Sequence, residues 1–336
     1  MRSPTNNSNT ITMKVTRFTA KNNEEWRKER CKSIGASQVP TLVGENPFQT
    51  PMELAMRMKE EMAGHFDFTE TPAMEMGHAI EPGVAYMFAR RSGKKIIEAS
   101  EAEYLLRRDD LPFMHCSPDR MYWITDPKNG GKNNEANKGV LECKYTHRTI
   151  DPEDIPLSWQ FQLQTQMGIG GYKEGHIAWI CNSKDWNKAF GYARFEFNPE
   201  VFEAVVDICK DFYEDCIVGD KVPDPVAVRD VVKRWPSSVE GKTREVDAAA
   251  HSLWVQLKAK RDAIKEVQAE ADELEDKLKL LFEDDEALTF NGDILATYRS
   301  TAGRTTIESK KLKEKFPQAY AECSKVGNAS RTFRLK

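Results

Sequence analysis

The chain has 336 residues and a formal net charge of −4, and its 40% hydrophobic content is enough to bury one large domain or a domain plus an extension. No run of about 18 apolar residues is present to span a membrane, and the mildly acidic balance argues weakly against a nucleic-acid partner, since carboxylates gathered at metal ions can mask a basic groove in such an average. The seven cysteines are scattered, odd in number and never spaced Cys-x-x-Cys, so neither a disulfide framework nor a zinc or iron–sulphur site is signalled. The polar opening residues lack the apolar stretch of a signal peptide. Residues 1–12 read as a disordered tail with Met13 closer to the folded start, and the protein is expected to be intracellular.

Residues 24 to 37 predict a short charged helix that breaks at Gly35 and restarts. Ser37 is placed to cap the restarted helix through Gln38, Leu42 and Val43, and that is the favoured reading. The same free amides, with the hydroxyl and Arg30, would alternatively make an anion site suited to a phosphate. Thr50 and Pro51 predict the cap and first position of a helix carrying Leu54, Met58 and Met62 inward. Pro72 opens a helix over Ala73 to Arg91 in which Gly77-His78-Ala-Ile-Glu81-Pro82-Gly83 is anomalous, because an internal proline removes a hydrogen bond and costs about 3 kcal/mol. The helix kinks there, or two helices meet at Glu81, or the break aims Glu81 at a metal as a carboxylate ligand. His78 reads as a helix-surface residue.

Residues 95 to 106 read as a strand and its exit, and Phe113 to Ser117 should pair with Arg120 to Thr125 across the Pro118-Asp119 corner or run on as one bent strand. A turn-rich loop over 126 to 137 leads into a strand over 139 to 145. There Glu142 and Lys144 share one face while Leu141 and Cys143 point to the other. A Glu-x-Lys pair defaults to a solvated face or weak surface ion pair. With the Asp119 carboxylate brought from a neighbouring strand, two acids and the Cys143 carbonyl would instead suit a hard divalent cation, with Lys144 facing the attacking water. On the next helix Trp159, Gln162 and Gln166 occupy one side, and Leu163 and Met167 pack inward. The glutamines default to solvent; a face turned toward the acids is the competing reading.

Strands over 176 to 181 and 189 to 197 and a helix from Asn198-Pro199 to Ile217 follow. Val222 to Pro225 should end the globular part, with Arg229 to Pro236 a surface linker. From Leu253 through Leu257, Ile264, Val267, Leu274, Leu278 and Leu281 runs a heptad seam interrupted at Lys260. It predicts a self-associating coiled coil, a long helix packing on its own domain, or a hairpin. Asn291-Gly292 signals a type I′ hairpin, and basic segments at Lys310 to Lys315 and Arg331 to Lys336 complete a small α/β appendage.

Ile34-Gly-Ala-Ser37, Gly77-x-x-x-Glu81-Pro82, Pro118-Asp119-Arg120, Leu141-Glu142-Cys-Lys144 and Gln162-x-Gln164-x-Gln166-Met167 follow one another in an order that resembles the lambda exonuclease and YqaJ-type viral recombinase family of the PD-(D/E)xK nuclease superfamily. The resemblance implies an α/β (α+β) restriction-endonuclease-like core, with a mixed central sheet flanked by helices, over residues 13–235, and a C-terminal appendage over 236–336. It also implies an exonuclease using Mg²⁺ or Mn²⁺ that resects double-stranded DNA from 5′ ends to leave 3′ overhangs. Such a protein works as a homotrimer for a single-strand annealing partner, in the cytoplasm of a bacterial or phage-infected cell. By the same resemblance, Glu81, Asp119, Glu142 and the Cys143 carbonyl hold the metals, Lys144 orients or activates water and Gln162 assists. Arg30 and Ser37 hold the 5′ phosphate, Trp159 stands where the family often has tyrosine, and Trp159, Gln164 and Gln166 would contact DNA. Cys143 replaces the commoner aliphatic residue between Glu142 and Lys144. The alternatives are an endonuclease of the same fold, or a non-catalytic DNA-binding or assembly protein working through its coiled coil.

Overall fold

The structure, a computed structural model, describes residues 14–66, 71–97, 104–325, 327 and 330–335. The tail expected over residues 1–12 and the start at Met13 lie outside them. The chain divides into two compact units, one ending at Val231 and the other beginning at Val232.

In the first unit β1 (Val15–Thr19), α1 (Asn23–Arg30), β2 (Ile34–Gly35), α2 (Val39–Leu42), α3 (Pro51–Met62) and α4 (Pro72–Ser92) lead into β3 (Lys95–Ile97) and β4 (Tyr104–Arg108). Then come β5 (Met114–His115), β6 (Arg120–Trp123), β7 (Lys138–Thr146), α5 (Leu157–Gly170), β8 (Glu174–Cys181), β9 (Phe190–Glu196) and α6 (Pro199–Phe212), and α7 (Val228–Arg234) runs across the division at Val231. The central five-stranded sheet has the order β3-β6-β7-β8-β9 and is antiparallel except for β7 and β8, the parallel pair that α5 connects. It is the mixed sheet flanked by helices that the resemblance implies. Val140 and Ile177 pack under Leu163 and Met167 of α5 and Phe202 of α6. Leu141, Ala178 and Tyr122 pack on the other face against Val84, Ala85 and Phe88 of α4.

Several expected boundaries move. Helix α1 ends at Arg30, and Ile34 and Gly35 form strand β2 rather than a helix break. Strand β2 pairs in parallel with β5, Ile34 opposite Met114 and Gly35 opposite His115, so β5 neither pairs with β6 nor continues into it. Strands β3 and β4 likewise belong to different sheets. Helix α4 runs unbroken through Pro82, so no break aims Glu81. The proline's cost of about 3 kcal/mol is matched by burial of Val84 and Phe88 farther along the helix, at about 1.5–3 kcal/mol each.

Helix α3 starts as its sequence predicts. Thr50 Oγ1 accepts from the Glu53 N–H at 3.2 Å, Glu53 Oε2 accepts from the Thr50 N–H at 3.1 Å, and Pro51 takes the first position. Thr50 Oγ1 also donates to Asp230 Oδ1 at 2.7 Å, while Asp230 Oδ2 accepts from the Val226 and Ala227 amides at 3.0 and 3.1 Å. The expected surface linker is therefore a helix, α7, pinned through a buried aspartate.

In the second unit α8 (Ala248–Lys279) is one uninterrupted helix rather than a hairpin, followed by β10 (Ala287–Phe290), β11 (Asp293–Thr297), α9 (Ser309–Lys315) and α10 (Pro317–Cys323). Its seam is exposed, from Leu253 at 68% to Leu274 at 62%, so it does not pack inward. Asn291 (φ 52°) and Gly292 (φ 91°) turn the β10–β11 hairpin as predicted. Among the described residues no helix is long and apolar enough to cross a membrane.

Thr50→Val keeps the shape of the side chain and removes the cap together with the Asp230 partner. Urea denaturation should register a loss of about 1–3 kcal/mol.

Candidate active site

Glu142 sits on β7 facing α5 and is 2% exposed, so its default reading as a solvated residue does not hold. Its carboxylate is enclosed by donors. Oε1 accepts from Lys144 Nζ at 2.6 Å and from Gln162 Nε2 at 2.7 Å, and Oε2 accepts from Gln166 Nε2 at 2.7 Å. Lys144 Nζ also donates to Gln162 Oε1 at 2.8 Å, closing a triangle. The glutamines at 162 and 166 are one helical turn apart, which is why both reach the same strand.

Register brings in Asp119. The last rung between β6 and β7 pairs Arg120 with Leu141, so the next step sets Asp119 opposite Glu142, with both side chains on one face. Past the end of β6 the Cys143 N–H has no strand partner on that side, and it donates to Asp119 Oδ2 at 2.7 Å. In an extended strand a residue's N–H and carbonyl face the same neighbour, so the Cys143 carbonyl opens on the Asp119 side too. Glu81 comes from α4, on the opposite face of the sheet, and Arg120 Nη1 holds its Oε1 at 2.5 Å. Among the described residues no three His, Cys, Asp or Glu groups stand close enough to hold an ion together. The donor chemistry of Asp119, Glu142 and the Cys143 carbonyl fits a hard cation, but Glu81 joins them only by leaving Arg120.

Arg30 and Ser37 also meet. Ser37 lies in a single 3₁₀ turn and caps nothing; its Oγ accepts from Arg30 Nη2 at 3.4 Å, and the turn is closed instead by Gln38 Oε1 accepting from the Gly35 N–H at 2.8 Å. The favoured capping role of Ser37 is thus replaced by contact with Arg30, whose guanidinium stacks over the Trp26 ring at 4.8 Å. Arg30, Ser37, Glu81, Asp119, Gln162 and Gln166 line one cavity of about 810 Å³. Two expected DNA contacts lie elsewhere. Gln164 is buried and ties α5 to the start of α6, donating to the Glu196 carbonyl and accepting from the Asn198 N–H, each at 2.9 Å. Trp159 packs against the main core. Gln166 is 1% exposed and turned toward Glu142. Arg120 had no assigned role from sequence; its only signal was its place directly after Asp119.

Charge is crowded here. Burial, then the Glu142 and Glu81 charges, push the Asp119 carboxyl well above its usual range, against the pull of Lys144 and the Cys143 N–H. Burial disfavours the Lys144 ammonium, but Glu142 and Asp119 outweigh it and hold its pKa above the ordinary lysine value. Lys144 is therefore a cation and a donor as held here. A carboxyl whose folded pKa exceeds its unfolded value, 3.8 for Asp119, weakens the fold as pH rises through that interval. In EDTA, Asp119→Asn should be more stable than the wild type at neutral pH by at least about 1 kcal/mol, and the gap should close below about pH 4. Thermal melts that coincide at both pH values would show that Asp119 carries no such repulsion.

Residues 25–173 match the YqaJ-like viral recombinase domain. Across 331 aligned residues the chain is 28% identical to the uncharacterized protein YqaJ of Bacillus subtilis strain 168, covering 94% of this chain and 96% of that protein. Among solved structures, the alkaline exonuclease LHK-Exo of Laribacter hongkongensis, in its complex with dAMP, superposes with a TM-score of 0.48 at 16% identity, over 58% of this chain and 93% of that one. A phage-related exonuclease of Haemophilus somnus gives a TM-score of 0.41 at 12% identity, over 55% and 95%.

Proposed function

We propose that the first unit hydrolyses phosphodiester bonds of linear double-stranded DNA, entering at 5′ ends and leaving 3′ single-stranded overhangs. The observation that carries this is one cavity whose lining holds Glu81, Asp119, Gln162 and Gln166, the last two hydrogen-bonded to Glu142, together with the Arg30–Ser37 pair. The viral recombinase domain supports a nuclease acting on DNA. Arg30 and Ser37 favour an exonuclease over an endonuclease of the same fold, because a guanidinium and a hydroxyl suit a terminal phosphate.

Lys144 has three N–H donors, of which Glu142 and Gln162 take two. The third is left to orient an attacking water or to neutralise charge developing on a phosphoryl oxygen. Held as an ammonium, it acts by position and charge and not as the base. Gln162 keeps Lys144 and Glu142 in register, and Gln166 holds the second carboxylate oxygen. A divalent ion, Mg²⁺ or Mn²⁺, held by Asp119, Glu142, the Cys143 carbonyl and a Glu81 released from Arg120, would neutralise charge on the attacking and leaving oxygens. A homotrimer serving a single-strand annealing partner belongs to the same proposal, and light scattering on the purified chain reads its mass directly.

The deciding experiment incubates 5′-phosphorylated linear, dephosphorylated linear and closed circular DNA with Mg²⁺ or EDTA. Phosphorylated linear DNA should be lost fastest, only with metal, and Lys144→Ala should slow it by roughly 100-fold or more. Equal cutting of circles would make the protein an endonuclease. No metal-dependent cleavage of any substrate would leave a DNA-binding or assembly role.

A further inference from the structure

The lining of this cavity includes a residue that the proposed chemistry leaves unused. Glu29 Oε1 accepts from Arg107 Nη1 at 2.9 Å, Arg107 Nη2 donates to Ser33 Oγ at 3.0 Å, and Ser33 Oγ lies 2.9 Å from His115 Nδ1. Ser33 is 0% and His115 2% exposed, so the Ser33 hydroxyl hydrogen must find its acceptor inside the protein. With its oxygen already accepting from Arg107, the hydroxyl donates to His115 Nδ1, and the imidazole proton is then on Nε2. Burial, and then the Arg30 and Arg107 charges, push His115 well below the ordinary histidine pKa, so the ring keeps that single proton.

The parallel pairing of β2 with β5 sets His115 opposite Gly35, and both line the cavity beside Arg30 and Ser37. Gly35 has an ordinary extended backbone, φ −77° and ψ 149°, so no turn requires glycine there. What glycine provides is space: a Cβ at this position would fall 3.0 Å from His115 Nε2. On other residues lining the same cavity, Trp26 Nε1 is buried with no hydrogen-bond partner among the described residues, and buried Arg57 Nε has only Glu61 Oε1, at 3.9 Å and beyond hydrogen-bond distance. Donors left without acceptors call for an acceptor-rich ligand, and a phosphate monoester offers three such oxygens.

We propose that His115 is a specificity-determining residue that donates from Nε2 to the terminal phosphate bound by Arg30 and Ser37, with Gly35 keeping that edge of the ring uncovered. The proposal rests on the end-recognition reading above.

The test compares initial rates on 5′-phosphorylated and 5′-hydroxyl linear duplexes for the wild type, His115→Leu, His115→Gln and Gly35→Ala, each checked by thermal melting. The preference for phosphorylated ends should fall roughly 10- to 100-fold in His115→Leu and in Gly35→Ala. His115→Gln, whose amide nitrogen takes the place of Nε2, should retain most of it. Gly35→Ala leaves the buried imidazole in place, so it decides the matter if His115→Leu fails to fold. An unchanged preference in folded variants, or an equal loss on both substrates, would overturn the assignment of His115 alone. A wild type that does not distinguish the two ends would overturn end recognition, and this inference with it.

Discussion

The burial of the Glu142 carboxylate constrains everything around it. A charged group at 2% exposure costs several kcal/mol unless it is paired, far more than the roughly 1 kcal/mol that an ordinary hydrogen bond returns. One cation and two amides meet that demand, and each dictates an element. Lys144 must lie two residues on, on the same face of β7. Helix α5 must cross that face with Gln162 and Gln166 turned inward, and so it loses the polar outer face a surface helix would have. Gln164 locks the same helix from another side through Glu196 and Asn198.

The acids beside Glu142 are placed by where a strand ends. Strand β6 stops one residue short of Asp119 on the β7 ladder, which frees the Cys143 amide for a side chain and sets two carboxylates opposite each other. Pairing continued as far as Pro118 opposite Cys143 would have replaced that contact with backbone. The resulting repulsion lowers stability, and a fold keeps such an arrangement where charge is needed for work. Glu81 approaches from the far face of the sheet and is balanced by Arg120, so Arg120 competes with any cation for that carboxylate.

What was legible in the sequence was local chemistry at fixed spacing: the Thr50-Pro51-Glu53 start of α3, the Asn291-Gly292 turn, the alternation along β7, and Leu163 and Met167 pointing inward. In the candidate site, Glu142, Lys144 and Gln162 shared one reading, and their side chains lie within hydrogen-bonding distance. What was hidden depends on partners far along the chain. Asp230 looked like linker because its partner Thr50 lies 180 residues earlier. Ser37 looked like a cap because nothing local shows that Gln38 closes the turn and that Arg30 takes the hydroxyl. The pairing of β5 with β2 rather than β6 was invisible for the same reason, and with it the approach of His115 to Gly35.

That last pairing couples the two chemistries of the cavity. Strand β5 carries His115, and four residues later the same chain presents Asp119; an extended chain of that length spans at most about 14 Å. Strand β2, held to β5 in parallel, carries Gly35 and leads directly into Ser37. Gly35 and Ser37 on one side and His115 and Asp119 on the other are therefore mounted on one paired segment, with the Tyr104 hydroxyl donating to the Pro118 carbonyl at 3.2 Å to hold the corner before Asp119. Under the proposed function, a phosphate held at Ser37 would consequently lie at a set distance from Asp119. Under the exonuclease reading, the position of cleavage relative to the strand end is then a property of this short backbone span rather than of any base contact.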